Sequence, residues 1–254
     1  MLFTVKTFSL IGCRVWGGGI YEDDSFYDAC DEFGVMVWQD FMFACGNYPT
    51  WPWFLESIEK EAAYNVRRLR HHASIVIYAG NNEDYQVQEQ SGLEYNYGDK
   101  DPDNWLKTDF PARYSYEKLL PSVVRKLSPD TFYHPGSPWG DGKLTSDTTV
   151  GDLHQWNGIY SFRSFPTTLL TSVVWHGTQE KYQTFDNLGG RFNSEFGMEA
   201  FPHMQTIESF IEDDADKYPQ SHILDFHNKA TGHERRIATY LAENVRIATD
   251  LEVG

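Results

Sequence analysis

Short apolar segments alternate with amphipathic ones along this sequence, and that alternation constrains the fold more than any other feature. A short run of β-branched and aromatic residues suits a buried strand, whereas an apolar stripe every third or fourth residue suits a helix. Cys13 to Trp16 reads as a strand running into Gly17-Gly18-Gly19. A helix from Asp23 to Phe33 and a second strand from Val35 to Gln39 follow. Leu55, Ile58, Ala62, Val66 and Leu69 recur at helical spacing, with Glu and Arg filling the other face. Ile75 to Tyr78 is a third strand, left through Gly80-Asn81-Asn82-Glu83. Phe132 to His134, Asp152 to Trp156 and Arg191 to Glu195 supply three more strands. A helix is predicted over Ala112 to Leu127 with a bend at Pro121. A tail helix from Gly232 to Asp250 carries Ile237, Leu241, Val245 and Ala248 on one face. The polar stretch Tyr85 to Phe110 reads as one long loop over the face that Glu83 occupies. Such alternation predicts a parallel α/β sheet, and 254 residues match the size of one (β/α)8 TIM barrel.

Charge and composition narrow the partners. The net charge of −16 argues against nucleic acid or an anionic membrane. No apolar run approaches the roughly 20 residues needed to span a bilayer. The start, Met1 to Gly12, carries Lys6 and lacks a basic leader and a small-residue cleavage site, so it does not read as a signal peptide. Cys13, Cys30 and Cys45 are odd in number and form no paired motif, which predicts free thiols in a reducing compartment. No Asn-x-Ser/Thr sequon occurs. Together these predict a cytoplasmic protein, with secretion left open by the start of the chain. The histidines are scattered without metal-ligand spacing, and the glycine run lacks phosphate-loop spacing, so neither a metal nor another cofactor is expected. Eight tryptophans suit a core and equally a sugar site, because pyranose C–H faces pack on aromatic rings.

In a barrel, catalytic groups sit at the C-terminal ends of strands. Glu83 follows the third strand and Glu195 ends the sixth. Taken alone, each reads as a solvated loop residue or a charge opening a helix. Trp38, inside an apolar strand, reads as core. Arg14 reads equally as a structural partner of an interior carboxylate or as a site residue, and His154 equally as core or sugar contact. His71-His72 reads as solvent-facing, and the acidic run Asp213, Asp214, Asp216 as a solvated face.

Four ordered motifs change the weighing. Arg14-Val15-Trp16-Gly17-Gly18-Gly19-Ile20-Tyr21-Glu22, Val37-Trp38-Gln39-Asp40-Phe41, Gly80-Asn81-Asn82-Glu83 and Ser194-Glu195-Phe196-Gly197 resemble the family 2 glycoside hydrolases. Within them, Trp38 to Cys45 and Trp175-His176-Gly177 are similar to the β-mannosidase branch. The resemblance implies Glu83 as general acid/base and Glu195 as nucleophile. Retaining hydrolysis needs two carboxyl groups about 5–5.5 Å apart, one protonating the leaving oxygen and one attacking the anomeric carbon. The resemblance further implies that Asn82 donates to a sugar hydroxyl and that Asp40 accepts from others. Trp16 and Trp175 become candidate walls of the sugar subsite, and His154 a candidate contact.

Two departures from the family pattern stand out. Strands resembling the second to the seventh of the barrel are present, so the barrel is expected to be incomplete. Gly158 to Val174 has no counterpart in the family and reads as an insertion of translated intron sequence. The leading expectation is an exo-acting retaining β-mannosidase that releases terminal mannose from β-mannoside oligosaccharides. The alternatives are an inactive sugar-binding remnant and a β-galactosidase-like or β-glucuronidase-like specificity.

Overall fold

The computed structural model of the chain describes residues 11–93, 96–156, 190–197, 200–229 and 233–244. The chain divides into two compact units, Met1–Leu153 with Gly190–Ser194, and His154–Gly189 with Glu195–Gly254.

The first unit is built on a four-stranded parallel sheet whose strands lie in chain order: β1 (Gly12–Val15), β2 (Met36–Asp40), β3 (Ile75–Ala79) and β4 (Phe132–His134). Cys13 lies opposite Val37, Trp38 opposite Ile77 and Tyr78 opposite Tyr133. Parallel neighbours need crossovers, and helices supply them. Helix α1 (Asp24–Phe33) starts where the Asp23 side chain accepts the Ser25 N–H at 3.0 Å. It stops at Gly34, whose φ of 68° lets its N–H turn back to the carbonyl of Cys30. Helix α2 (Pro52–Leu69) opens on a proline and buries Ile58, Ala62, Val66 and Leu69 of the predicted stripe, with Leu55 half-buried. These side chains join Val37, Phe41, Tyr78, Tyr116, Leu120 and Val124 in one core. Each fully buried side chain of this kind contributes about 1.5–3 kcal/mol relative to exposure. Gly17, read as part of a tight turn, answers to close packing: a Cβ there would lie 2.5 Å from the Phe43 carbonyl oxygen.

Three expectations for this unit are corrected. Tyr85 to Phe110 is not one loop, since α3 (Asp84–Gln90) and α4 (Pro102–Trp105) lie within it. Tyr85 and Phe110 are fully buried and their rings meet edge to face at 5.2 Å, so a few aromatic anchors hold a segment whose polar composition hid them. His72 is buried, with Nδ1 2.8 Å from the Asp31 carboxylate, which also accepts the Ser74 N–H. The expected bend at Pro121 is a local widening. Residues Ser115–Leu119 form a π-helical turn, in which the Leu120 N–H reaches back to Ser115, leading into α5 (Leu120–Leu127). Pro121 has no N–H to close an ordinary turn.

Strands β5 (Leu153–Trp156) and β6 (Asn193–Gly197) pair as a second sheet, and the boundary between the units falls within both. Glu195 stands in the middle of β6 rather than at its end, because the strand continues through Phe196 and Gly197. The second unit also holds α6 (Met204–Glu208), α7 (His222–His227), whose first turn is capped by Ser221, and α8 (His233–Asn244). Ile207, Ile211 and Leu224 form a small core with Phe210 and Ile223. On α8, Ile237 and Tyr240 are buried, but Leu241, expected on the apolar face, is exposed. Asp213 and Asp214 face solvent on a short 3-10 turn. The predicted tail beyond Asn244 and the segment 158–174 lie outside the described residues. No described helix is long and apolar enough to cross a membrane.

Two glycines give a contrast in stability. Gly34→Ala meets open space and costs about 1 kcal/mol, the left-handed backbone penalty alone. Gly17→Ala drives a methyl into backbone oxygens and costs about 2 kcal/mol or more. Urea unfolding followed by circular dichroism measures both, and equal midpoint shifts would contradict the packing at Gly17.

Candidate functional site

Of the residues picked out from the sequence, Asp40, Asn82 and Glu83 stand where the first sheet ends. Beyond the last ladder pairs, the segments leaving β2, β3 and β4 stay joined by bridges from Ala44 to Asn82 and from Asn82 to Ser137. The Asn82 N–H donates to the Phe43 carbonyl at 2.9 Å, and the Cys45 N–H to the Asn82 carbonyl at 2.8 Å. The Glu83 N–H donates to the Ser137 carbonyl at 2.8 Å. Glu83 adopts φ 64°, a left-handed conformation unusual outside glycine, and α3 begins at the next residue. Its carboxylate Oε2 lies 3.4 Å from the Cys45 Sγ donor. Burial pushes the Cys45 thiol up to about 12, with the charges of Glu83 and Asp84 adding, so the sulfur keeps the proton it donates. Burial likewise pushes the Asp84 carboxyl up to about 7, against hydrogen bonds from the Tyr116 hydroxyl and the Gly46 N–H.

Asp40 is fully buried at the end of β2 and is matched by protein donors. Arg14 Nη2 donates at 2.7 Å and Nε at 3.1 Å, the Gly17 N–H at 3.0 Å, and Trp38 Nε1 at 2.8 Å. Burial raises the Asp40 carboxyl above its ordinary value, and these four donors pull against it. Arg14 Nη2 also donates to Asn82 Oδ1 at 3.0 Å. Arg14 is thus the structural partner of an interior carboxylate, one of its two sequence readings. Trp38, expected in the core, is partly exposed and spends its N–H on Asp40. Asp40, expected to accept from sugar hydroxyls, accepts protein donors on both oxygens. Trp16 is 48% exposed, its ring lying over Gly18.

A second buried carboxylate went unnoticed in the sequence. Asp152, just before β5, takes His134 Nε2 at 2.8 Å and the Trp139 N–H at 3.1 Å on one oxygen. The other takes the Ser137 hydroxyl at 2.6 Å and the Ser194 hydroxyl at 2.5 Å. Burial works to raise this carboxyl, but the hydrogen bond and charge of His134 and the two serine hydroxyls overcome it and hold it at about 2.

In the second unit, Glu195 Oε2 accepts the Trp156 indole N–H at 3.0 Å and lies 3.4 Å from Nδ1 of the buried His154. Trp156 stands two residues after His154, on the same face of β5. That period-two spacing was the signal available for Trp156, which the sequence reading passed over. Trp175 lies outside the described residues.

No family model matches the sequence. Curated relatives do. Over 239 residues the chain is 78% identical to "Beta-mannosidase B" of Aspergillus flavus and 77% identical to that of Aspergillus fumigatus. Each alignment covers 94% of this chain and 26% of the relative, so the chain spans about a quarter of the length of the curated relatives it matches. The crystal structure of β-D-mannosidase from Dictyoglomus thermophilum superposes with a TM-score of 0.78 at 38% identity. It covers 99% of this chain and 28% of that one. Over this stretch the chain is similar to β-mannosidases in both sequence and fold.

Two outcomes follow from the buried carboxylates. Arg14→Ala strands Asp40 without its main counter-charge and costs about 3–5 kcal/mol in urea unfolding. A loss under about 1 kcal/mol would show that the pair is not needed. Asp152 has a depressed folded value, so its stabilising effect is complete above pH about 4 and disappears as pH falls toward about 2. The difference of about 2 pH units amounts to about 2–3 kcal/mol. Wild type should therefore lose that margin over Asp152→Asn between pH 4 and 2 in parallel acid titrations of stability.

Proposed function

We propose that this chain carries the catalytic groups of a retaining, exo-acting β-mannosidase that removes terminal non-reducing mannose from β-mannosides. The names of the relatives support the substrate class. In this reading the parallel sheet is part of a (β/α)8 barrel, with the described strands forming part of its wall. Free thiols at Cys13, Cys30 and Cys45 support a reducing compartment such as the cytoplasm.

Glu83 is the general acid/base and Glu195 the nucleophile. In the first step the Glu83 carboxyl gives its proton to the glycosidic oxygen while a Glu195 oxygen bonds to the anomeric carbon, and the aglycone leaves. In the second step Glu83 takes a proton from water, the water oxygen bonds to the anomeric carbon, and the Glu195 carboxylate departs. The Trp156 N–H donates to Glu195 Oε2 at 3.0 Å and fixes the orientation of that carboxylate. Asn82, beside Glu83 and fixed through Arg14, is placed to hold a sugar hydroxyl. Both steps use these two carboxyl groups, with water as the second reactant.

Glu83 is the observation that carries the proposal. A carboxylate is held at the exit of a parallel strand, on backbone bonded to both neighbouring segments, in a conformation that costs about 1–3 kcal/mol. Strain of that kind persists where a side chain must stand in one place.

Turnover of an aryl β-mannoside by the purified chain tests this. Glu83→Gln and Glu195→Gln should each lower kcat by about 10²–10⁴-fold. With a leaving group that needs no proton, Glu83→Gln should keep the first step and Glu195→Gln should lose it. An absence of wild-type turnover at high protein concentration would favour the sugar-binding remnant. Faster turnover of β-galactosides or β-glucuronides would change the substrate.

A further inference from the structure

We infer that Asp152 is a positioning residue that ties the backbone of Glu83 to the strand that carries Glu195. The inference rests on the roles proposed above for those two glutamates and adds a residue that no motif pointed to. Asp152 is 3% exposed and uses both oxygens on donors from separate segments. Each oxygen has a different task. Oδ1 collects His134 at the end of β4 and the Trp139 N–H beyond it. Oδ2 collects the hydroxyls of Ser137 and Ser194, whose oxygens lie 3.2 Å apart.

The two serines give the arrangement its meaning. Ser137 holds the Glu83 loop through its backbone: its carbonyl accepts the Glu83 N–H at 2.8 Å, and its own N–H donates to the Asn81 carbonyl at 2.9 Å. Ser194 is the residue bonded directly to Glu195 in β6, and its hydroxyl also lies 3.2 Å from the Leu153 carbonyl. One buried carboxylate thus fixes the peptide before the proposed nucleophile and the peptide that supports the proposed acid. The low value of its carboxyl, about 2, reflects the same donors, so Asp152 is ionised across the working range. An ionised oxygen shared by two hydroxyls makes short, strong bonds that a neutral amide cannot reproduce. Glycosidic chemistry depends on placing its groups to within a fraction of an ångström, and a misplacement of about 1 Å costs roughly 10²-fold in rate.

The test compares wild type with Asp152→Asn, Ser194→Ala and Ser137→Ala, with Glu195→Gln as reference. Two readouts are used: aryl β-mannoside kinetics and hydrogen exchange of the peptides holding Glu83 and Glu195. Asp152→Asn should lower kcat at least about tenfold while KM stays within about threefold, and Ser194→Ala should move the same way by less. Exchange should quicken at both peptides together in Asp152→Asn, which a merely local role for Asp152 would not produce. Should Asp152→Asn fail to fold, the two serine variants, each losing a single hydroxyl, carry the same expectation. If Glu195→Gln abolishes turnover while the Asp152 and serine variants keep wild-type kcat and unchanged exchange, the positioning role is overturned. If Glu195→Gln turns over normally, the nucleophile assignment fails, and exchange at the two peptides still decides whether Asp152 couples them.

Discussion

A carboxylate taken out of water must be repaid in hydrogen bonds, and the end of the first sheet is organised around two such groups. Removing an ion from solvent costs several kcal/mol unless donors replace the lost water. Asp40 receives four donors from β1, the glycine turn and its own strand, and Asp152 receives four from β4, the segment after it and β6. The backbone ladder stops at Asp40, Ala79 and His134. Past those points the segments are held by bridges at Ala44, Asn82 and Ser137 and by these carboxylates. The two carboxylates therefore act as fasteners where the continuous ladder has given way to isolated bridges.

This explains which parts of the molecule could be read from sequence. Strands β1 to β4 and helices α1 and α2 announce themselves because apolar periodicity is a local property, visible within a dozen residues. The stripe Ile58, Ala62, Val66, Leu69 needed nothing else, and it is buried as its spacing requires. The resemblance supplied Glu83 and Glu195, and with Asp40 and Asn82 a reason to look at the strand ends. Asp152 was invisible for the opposite reason. Its donors lie 13 to 42 residues away in the chain, and no local pattern brings His134, Ser137, Trp139 and Ser194 to one carboxylate. His72 misled in the same way: beside His71 at the end of a charged helix it looks solvated, and only the return of α1 places Asp31 against it. Tyr85 to Phe110 was misjudged because its average polarity outweighed the three buried aromatic side chains Tyr85, Trp105 and Phe110.

Glu83 shows why a local rule is broken where the chemistry is proposed. A position at φ 64° costs glycine nothing, and the chain uses glycine for such conformations at Gly34, Gly92, Gly142 and Gly151. Glycine at residue 83 would relieve the backbone and leave its N–H bond to Ser137 intact. What glycine cannot supply is the carboxylate beside Cys45. The strained conformation also turns the chain at once into α3, so the following residue, Asp84, is carried inward to Tyr116 and Gly46 rather than outward to water. The strain, the supporting bonds and the buried neighbour have one explanation in common. The chain is bent where it must present an acidic side chain, and the surrounding bonds hold it in that bend.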